Sequence, residues 1–167
     1  MSRAGLLLLT AQIALAASVV ATYGMLPDQV ATHFSSDGRA SGWTSRPTYA
    51  AIIILGGAAT ALACAGPIYL ARHLPDSLIN IPHRDYWLAP ERRRETYERL
   101  AELGTWTGIL TTALFLGLHL LTVRAHRVQP PRLPLTDGLS VIGPFLIGLA
   151  AVVYVYGFRA WRVDDAR

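Results

Sequence analysis

The chain has 167 residues, of which 52% are hydrophobic and only 16% are charged, and its net charge is +4. So few charges are unusual in a soluble domain, and a small, dispersed positive charge does not indicate nucleic-acid binding. Cys64 is the single cysteine, which excludes an intrachain disulfide and a dithiol redox centre.

Four apolar stretches account for this composition. Each one is longer than the roughly 20 residues needed to cross a hydrocarbon core, and none contains a lysine or an arginine. Helices of a soluble bundle would keep a polar face, which these segments lack. We predict a single integral membrane domain over residues 1–167. Its fold class is all-α: a four-helix transmembrane bundle with spans at about 4–26, 48–71, 100–123 and 135–157.

The first span begins like a secretory signal, with Arg3, a leucine run and a small-residue cleavage pattern at 14–16. The apolar run does not stop there, however, and continues to Leu26. An uncleaved first span is therefore the favoured interpretation.

Arginine placement predicts the orientation. With four spans both termini lie on one side, and ten of the fifteen arginines fall on that side. Because basic residues concentrate in cytoplasmic loops, we predict a multi-pass protein with cytoplasmic N- and C-termini. The ten are Arg3, Arg72, Arg84, Arg92, Arg93, Arg94, Arg99, Arg159, Arg162 and Arg167.

The loop between the first two spans then faces outward. Asp37-Gly38 is a turn signal, because glycine tolerates a positive φ. Residues 30–34 alternate in polarity, which predicts a short strand or ribbon, and Trp43 is expected near the membrane interface. We therefore predict a structured outer loop.

His33 is the titratable group of this loop that is most open to a functional interpretation. Together with Asp28 and Asp37 it offers the imidazole and carboxylate ligands that suit zinc or a similar ion. The three residues have no fixed helical spacing, so packing or hydrogen bonding of His33 within the loop is favoured. We predict no metal site and no cofactor.

His119 is unusual because it lies within an apolar span, where an ionisable group normally faces protein or water. In the predicted topology it shares the outer side with His33 and His126. A proton-sensitive or metal-binding cluster is one interpretation, and a hydrogen bond from His119 to a neighbouring helix is the favoured one. Gln12, in the first span, is likewise expected to bond to another helix.

The loop between the second and third spans combines an extended part with a charged part. Prolines favour extended backbone in LPDSLINIPHRDYWLAP. In ERRRETYERLAEL, Glu95 precedes Arg99 by four residues, which predicts a short charged helix leading into the third span. The extended part is either a docking surface for a cytoplasmic partner or an interfacial segment anchored by Tyr86 and Trp87.

Enzyme motifs are absent from the sequence. It contains no His-Glu-x-x-His, no Gly-x-Ser-x-Gly and no phosphate-binding glycine loop. No catalytic residues are predicted.

Two segments resemble a known family, domain of unknown function 1648. In its signature a first span ends in Leu-Pro and is followed by a histidine–aromatic pair, a glycine turn and a tryptophan. Asn80-Ile81-Pro82-His83-Arg84-Asp85-Tyr86-Trp87 is similar to a pattern that accompanies this signature, so the resemblance covers about the first hundred residues. The signature positions are Leu26, Pro27, His33, Phe34, Gly38 and Trp43.

The resemblance implies a small bacterial integral membrane protein related to the N-terminal module of SdpI-type immunity proteins. Those proteins protect cells from a secreted peptide toxin and relay its presence to a repressor, and they have additional spans for which this chain has no room.

We therefore predict a non-enzymatic membrane protein whose outer loop binds a peptide or envelope ligand, for immunity or sensing. The expected partners are membrane lipids, that ligand and a cytoplasmic protein at the middle loop. The alternative is a small membrane enzyme or transporter with an outer-leaflet site around His33 and His119. The candidate ligand-binding residues are Asp28, His33, Phe34, Asp37, Gly38, Trp43 and His119, and the middle-loop motif consists of Asn80, Pro82, Asp85, Tyr86 and Trp87.

Overall fold

The computed structural model describes residues 2–71 and 73–163. Within them, four helices are long and apolar enough to cross a membrane, as predicted. The elements in chain order are α1 (Arg3–Thr22), β1 (Gln29–Phe34), β2 (Ala40–Ser45), α2 (Arg46–Ala71), α3 (Arg84–Trp87), α4 (Arg93–Ala125) and α5 (Leu135–Val152). A π-helical turn (Val153–Phe158) and a 3₁₀ turn (Arg159–Trp161) follow α5.

The charged segment predicted as a short helix before the third span is the beginning of α4 itself. Glu95 and Arg99 form an ion pair of 2.5 Å, and Arg94 and Glu98 lie 3.9 Å apart. No proline or glycine interrupts residues 93–103, so the helix continues without a break into its apolar part. The separate short helix of this loop is α3.

Helices α1, α2 and α4 form the core, and α5 packs mainly on α4. No residue of α5 is buried, and several of its large apolar side chains are more than half exposed, namely Leu135, Leu139, Leu146 and Ile147. The buried core cluster combines residues of all three central helices with one residue of the loop after α1 and one strand residue: Leu15, Val19, Leu26, Val30, Tyr49, Ile53 and Val123.

Glycines allow the helices to approach closely. A Cβ on Gly57 of α2 would lie 2.7 Å from the Leu15 side chain of α1. A Cβ on Gly117 of α4 would lie 2.6 Å from the Val141 side chain of α5. Small residues therefore set the spacing at both interfaces, as is common between membrane helices.

The loop between α1 and α2 is an antiparallel hairpin of β1 and β2, with register shifts around His33. Gly38 adopts a φ of 79° at the turn, which confirms the turn predicted from Asp37-Gly38. The turn also packs against the α4–α5 loop, because the Leu133 amide donates to the Gly38 carbonyl at 3.0 Å. The hairpin thus lies over the end of the bundle and is held at its tip.

Candidate functional site

A cavity of about 490 Å³ lies beneath the hairpin, between β1, β2, α2 and α4. Its wall is mostly apolar, with hydroxyl groups and one imidazole among the strand and helix residues. This combination of an apolar chamber with a few polar groups is typical of small-ligand sites. The lining residues are Thr32, His33, Phe34, Thr44, Tyr49, Ile52, Ile53, Leu118, Leu121, Thr122 and Leu133.

His33 and Phe34, the histidine–aromatic pair identified in the sequence, both contribute to this cavity. The His33 ring lies over Gly42 of the partner strand, where a Cβ would approach Nδ1 to 2.9 Å. The Thr32 hydroxyl is 3.2 Å from the same nitrogen. Glycine at position 42 therefore leaves room for the imidazole on the hairpin surface, where His33 remains exposed.

Asp28 and Asp37 lie at opposite ends of the hairpin and do not line the cavity. The Asp28 carboxylate pairs with Arg46 at 2.6 Å, and the same guanidinium donates to the Leu26 carbonyl at 3.0 Å. These contacts join the end of α1 to the start of α2 at the base of the hairpin. Asp37 accepts from the Arg39 amide at 3.1 Å, so its role in the structure is to stabilise the turn.

The metal-binding interpretation gains no geometric support. Among residues 2–71 and 73–163, no group of three or more His, Cys, Asp or Glu side chains is placed to hold a metal ion. Asp28 is engaged at the base and Asp37 at the turn, and His33 lies between them on β1.

His119 is fully buried, at 0% exposure, and connects the three core helices. The Tyr49 hydroxyl lies 3.0 Å from Nδ1, and the Thr22 hydroxyl lies 2.9 Å from Nε2. Because Thr22 donates its proton to the Ser18 carbonyl at 2.8 Å, it accepts from Nε2–H, and Tyr49 donates to Nδ1. This arrangement confirms the predicted bond to a neighbouring helix and extends it to two.

The wall of the cavity is thereby connected to this polar network. Tyr49 lines the cavity and also bonds to His119, whereas His119 itself does not line it. Of the candidate ligand-binding residues, His33 and Phe34 are at the cavity, and His119 is behind its wall.

Sequence reasoning missed the role of His126. Its Nε2 accepts a hydrogen bond from the buried Ala31 amide at 3.0 Å, and its Nδ1 lies 2.8 Å from the Thr122 carbonyl oxygen. Nε2 accepts through a free lone pair, so Nδ1 is the nitrogen that donates to the Thr122 carbonyl. Trp43, predicted near the interface, is exposed on β2 and stacks edge-on against His126, with ring centroids 6.4 Å apart.

Gln12 forms a second polar contact deeper in the bundle. Its side-chain amide donates to the Thr112 hydroxyl at 2.8 Å and to the Gly57 carbonyl at 3.3 Å. The predicted interhelical bond of Gln12 is therefore confirmed, and it joins the same three helices as His119.

The middle loop lies at the opposite end of the bundle, and there Trp87 corrects an expectation. Trp87 is only 6% exposed, so its indole is neither a lipid anchor nor a docking contact. Its Nε1 donates to the Trp161 carbonyl at 3.2 Å, and Arg99 lies 4.4 Å from its ring centroid. Pairing with the 3₁₀ turn Arg159–Trp161, which follows α5, satisfies the indole N–H and buries the ring. The other motif residues, Asn80, Pro82, Asp85 and Tyr86, are exposed.

Comparison with known proteins gives one family. Residues 8–57 match the family described as Domain of unknown function (DUF1648), and they comprise most of α1, the hairpin and the first part of α2. The pattern at 80–87 and His119 lie outside the match, which is shorter than the resemblance seen in the sequence. No curated protein and no solved structure gives a significant match. The chain therefore contains a segment that is similar to the DUF1648 family, and the described residues include four candidate membrane spans.

Proposed function

We propose that this chain is a non-enzymatic protein of a bacterial cell membrane whose outward-facing hairpin binds a peptide or another envelope ligand, for immunity or sensing. The cavity of about 490 Å³ beneath the hairpin is the observation that carries the proposal. The family histidine and aromatic residue, His33 and Phe34, form part of its wall.

The chemistry of the cavity supports an amphipathic ligand. Ile52, Ile53 and Leu118 offer apolar surface, and His33 and Thr44 offer polar groups on the hairpin side. An apolar side chain or acyl group would bury its surface among the aliphatic residues, while its polar end stays at the strands.

The connection from Tyr49 to His119 offers a way to transmit binding. A ligand that displaces the Tyr49 hydroxyl breaks one bond of a network joining α1, α2 and α4. The helices would then repack unless the bond were replaced. In this proposal the change reaches a cytoplasmic partner at the middle loop, through its exposed residues Asn80, Pro82, Asp85 and Tyr86.

An outer-leaflet enzyme or transporter is the second candidate, because Tyr49 places His119 one hydrogen bond from the cavity that contains His33. Both ring nitrogens of His119 are already bonded within the bundle. A substrate would have to break one of these bonds to reach it, so ligand binding is the better-supported function.

Cells lacking the gene, complemented with variants, test the proposal when they are challenged with envelope-active peptides. His33→Ala should retain expression and thermal stability but lose protection or signalling. Thr44→Phe should do the same by filling the cavity. Ser41→Phe is the matched control, because Ser41 is exposed on the same strand but does not line the cavity.

The variants together separate the outcomes. Wild-type protection in both the His33 and the Thr44 variants would show that the cavity binds no relevant ligand. Loss of stability in His33→Ala, with unchanged function per folded molecule, would assign a structural role to His33.

The proposed orientation, with both termini in the cytoplasm, follows from the arginine distribution. Arg72 and Arg167, two of the ten arginines on the inner side, lie outside the described residues. With Cys64 replaced by serine, a cysteine at exposed Ser36 should react with an impermeant maleimide in intact cells. A cysteine at Glu98, on the exposed beginning of α4, should react only after lysis. The reverse pattern would invert the topology.

A further inference from the structure

A second cavity, of about 600 Å³, lies at the end of the bundle opposite the hairpin. It is formed by the first part of α4 and by the distorted end of the last span, where α5 widens into a π-helical turn. Three arginines, one glutamate and one tyrosine contribute to its wall: Arg99, Arg159, Arg162, Glu102 and Tyr156.

Aromatic packing fixes the end of the last span beside α4. Trp161 is buried, its carbonyl accepts from Trp87, and the two indoles meet edge-on at 5.7 Å. Arg99 donates to the Ala160 carbonyl and pairs with Glu95 at 2.5 Å. The backbone that carries Arg159 and Arg162 is therefore held in place before any ligand arrives.

The charges that remain at this cavity are of both signs. Arg99 is already neutralised by Glu95. Among the described residues, Arg159, Arg162 and Glu102 take part in no ion pair. Two guanidinium groups and one carboxylate thus line one cavity at the end of the last candidate span without neutralising each other.

We propose that this cavity binds the headgroup of a phospholipid that carries both a phosphate and a primary ammonium, namely phosphatidylethanolamine. The phosphate lies at Arg159 and Arg162, because guanidinium groups donate paired hydrogen bonds to phosphate oxygens. The ammonium lies at Glu102, and Tyr156 lies at the level of the headgroups, as aromatic residues commonly do.

This assignment distinguishes three headgroups. Phosphatidylcholine offers the same phosphate, but its quaternary ammonium has no proton to donate to Glu102. Phosphatidylglycerol has no cation, so its anionic headgroup leaves the Glu102 carboxylate unneutralised. The site is therefore selective for the ammonium and not simply for negative charge.

Native mass spectrometry of the full chain, with the three lipids at matched acyl length, tests the inference. Wild-type protein should bind phosphatidylethanolamine roughly threefold to tenfold more tightly than the other two, as expected for a partly exposed charge-assisted bond. Glu102→Gln should remove this preference while binding persists. The double variant Arg159→Gln, Arg162→Gln should weaken the binding of all three lipids by a similar factor.

Matched controls locate the effect. Arg94→Gln removes an arginine from the same end of α4 but outside the cavity, and should change nothing. Asp164→Asn with Asp165→Asn removes the acidic pair beyond the described residues, and should leave the preference intact. Retention of the wild-type melting temperature shows that each variant is folded.

Equal binding of the three lipids by wild-type protein, or a preference for phosphatidylglycerol, would overturn the inference. It would also be overturned by unchanged binding in the double arginine variant, or by loss of the preference in the double aspartate variant but not in Glu102→Gln. Soluble phosphoethanolamine that binds as tightly as the lipid would show that no membrane lipid is required. None of these results bears on the outer cavity, because no residue is shared.

Discussion

Replacing His126 with leucine should release the hairpin from α4. The Ala31 amide is fully buried and donates to His126 Nε2 at 3.0 Å, and leucine offers no acceptor there. A buried N–H without a partner costs about 1–3 kcal/mol, which corresponds to a roughly 5- to 150-fold change in the opening equilibrium. The edge-on contact between His126 and Trp43 is lost at the same time.

Hydrogen–deuterium exchange in nanodiscs measures this effect directly. Peptides covering residues 29–45 should exchange faster by that factor in His126→Leu, whereas peptides from α5 should not change. His126→Gln is the control, because glutamine places a carbonyl oxygen near the position of Nε2 and should restore most of the protection. If the hairpin of His126→Leu exchanges at the wild-type rate, the bond does not hold the hairpin and the reasoning is refuted.

Three further substitutions test other contacts. Gly38→Val should lower the free energy of unfolding by about 1 kcal/mol or more, because branched residues disfavour its φ of 79° and a Cβ there would lie 2.9 Å from a backbone oxygen. Gly24→Val, at an open position, should lower it less. Equal unfolding midpoints of the two variants would contradict this prediction. Trp87→Ala should destabilise the protein by about 3–5 kcal/mol through loss of a buried indole, whereas Tyr86→Ala, at a ring 39% exposed, should have a much smaller effect in the same unfolding assay. Tyr49→Phe should lower the free energy of unfolding by roughly 0.6 kcal/mol, and by at most about 1.7 kcal/mol, as is typical for hydrogen bonds between membrane helices; no change measured by steric trapping would exclude a stabilising role for the bond to His119.

The spans, the turn at Gly38 and the interhelical bond of Gln12 could be predicted because each depends on a local signal. An unbroken apolar stretch indicates a span, a glycine after aspartate indicates a turn, and a side-chain amide in an apolar helix indicates an interhelical hydrogen bond. Each signal limits the possible structures at its own position. Partners across the bundle leave no such signal. The burial of Trp87 depends on Trp161, which lies 74 residues later in the chain. Because no local signal indicates this partner, the prediction that Trp87 is an exposed anchor was wrong.

The candidate site was predictable only in part for the same reason. His33 and Phe34 were identified from the loop, but the cavity between them and α4 requires the packing of four elements. The sequence placed His126 near His33 and His119 without indicating which partner it would bind. Its acceptor role depends on an amide 95 residues away.

The segment that matches the family does not complete its own interior. Residues 8–57 supply most of α1, the hairpin and part of α2. The residues that satisfy or cover their buried groups lie in α4 and directly after it: His119, Val123 and His126. Taken alone, this segment would leave the Ala31 amide and the Tyr49 hydroxyl without these hydrogen-bond partners. In this chain the structural unit that satisfies these groups is therefore larger than the segment that matches the family, because it includes the C-terminal part of α4 and His126 after it.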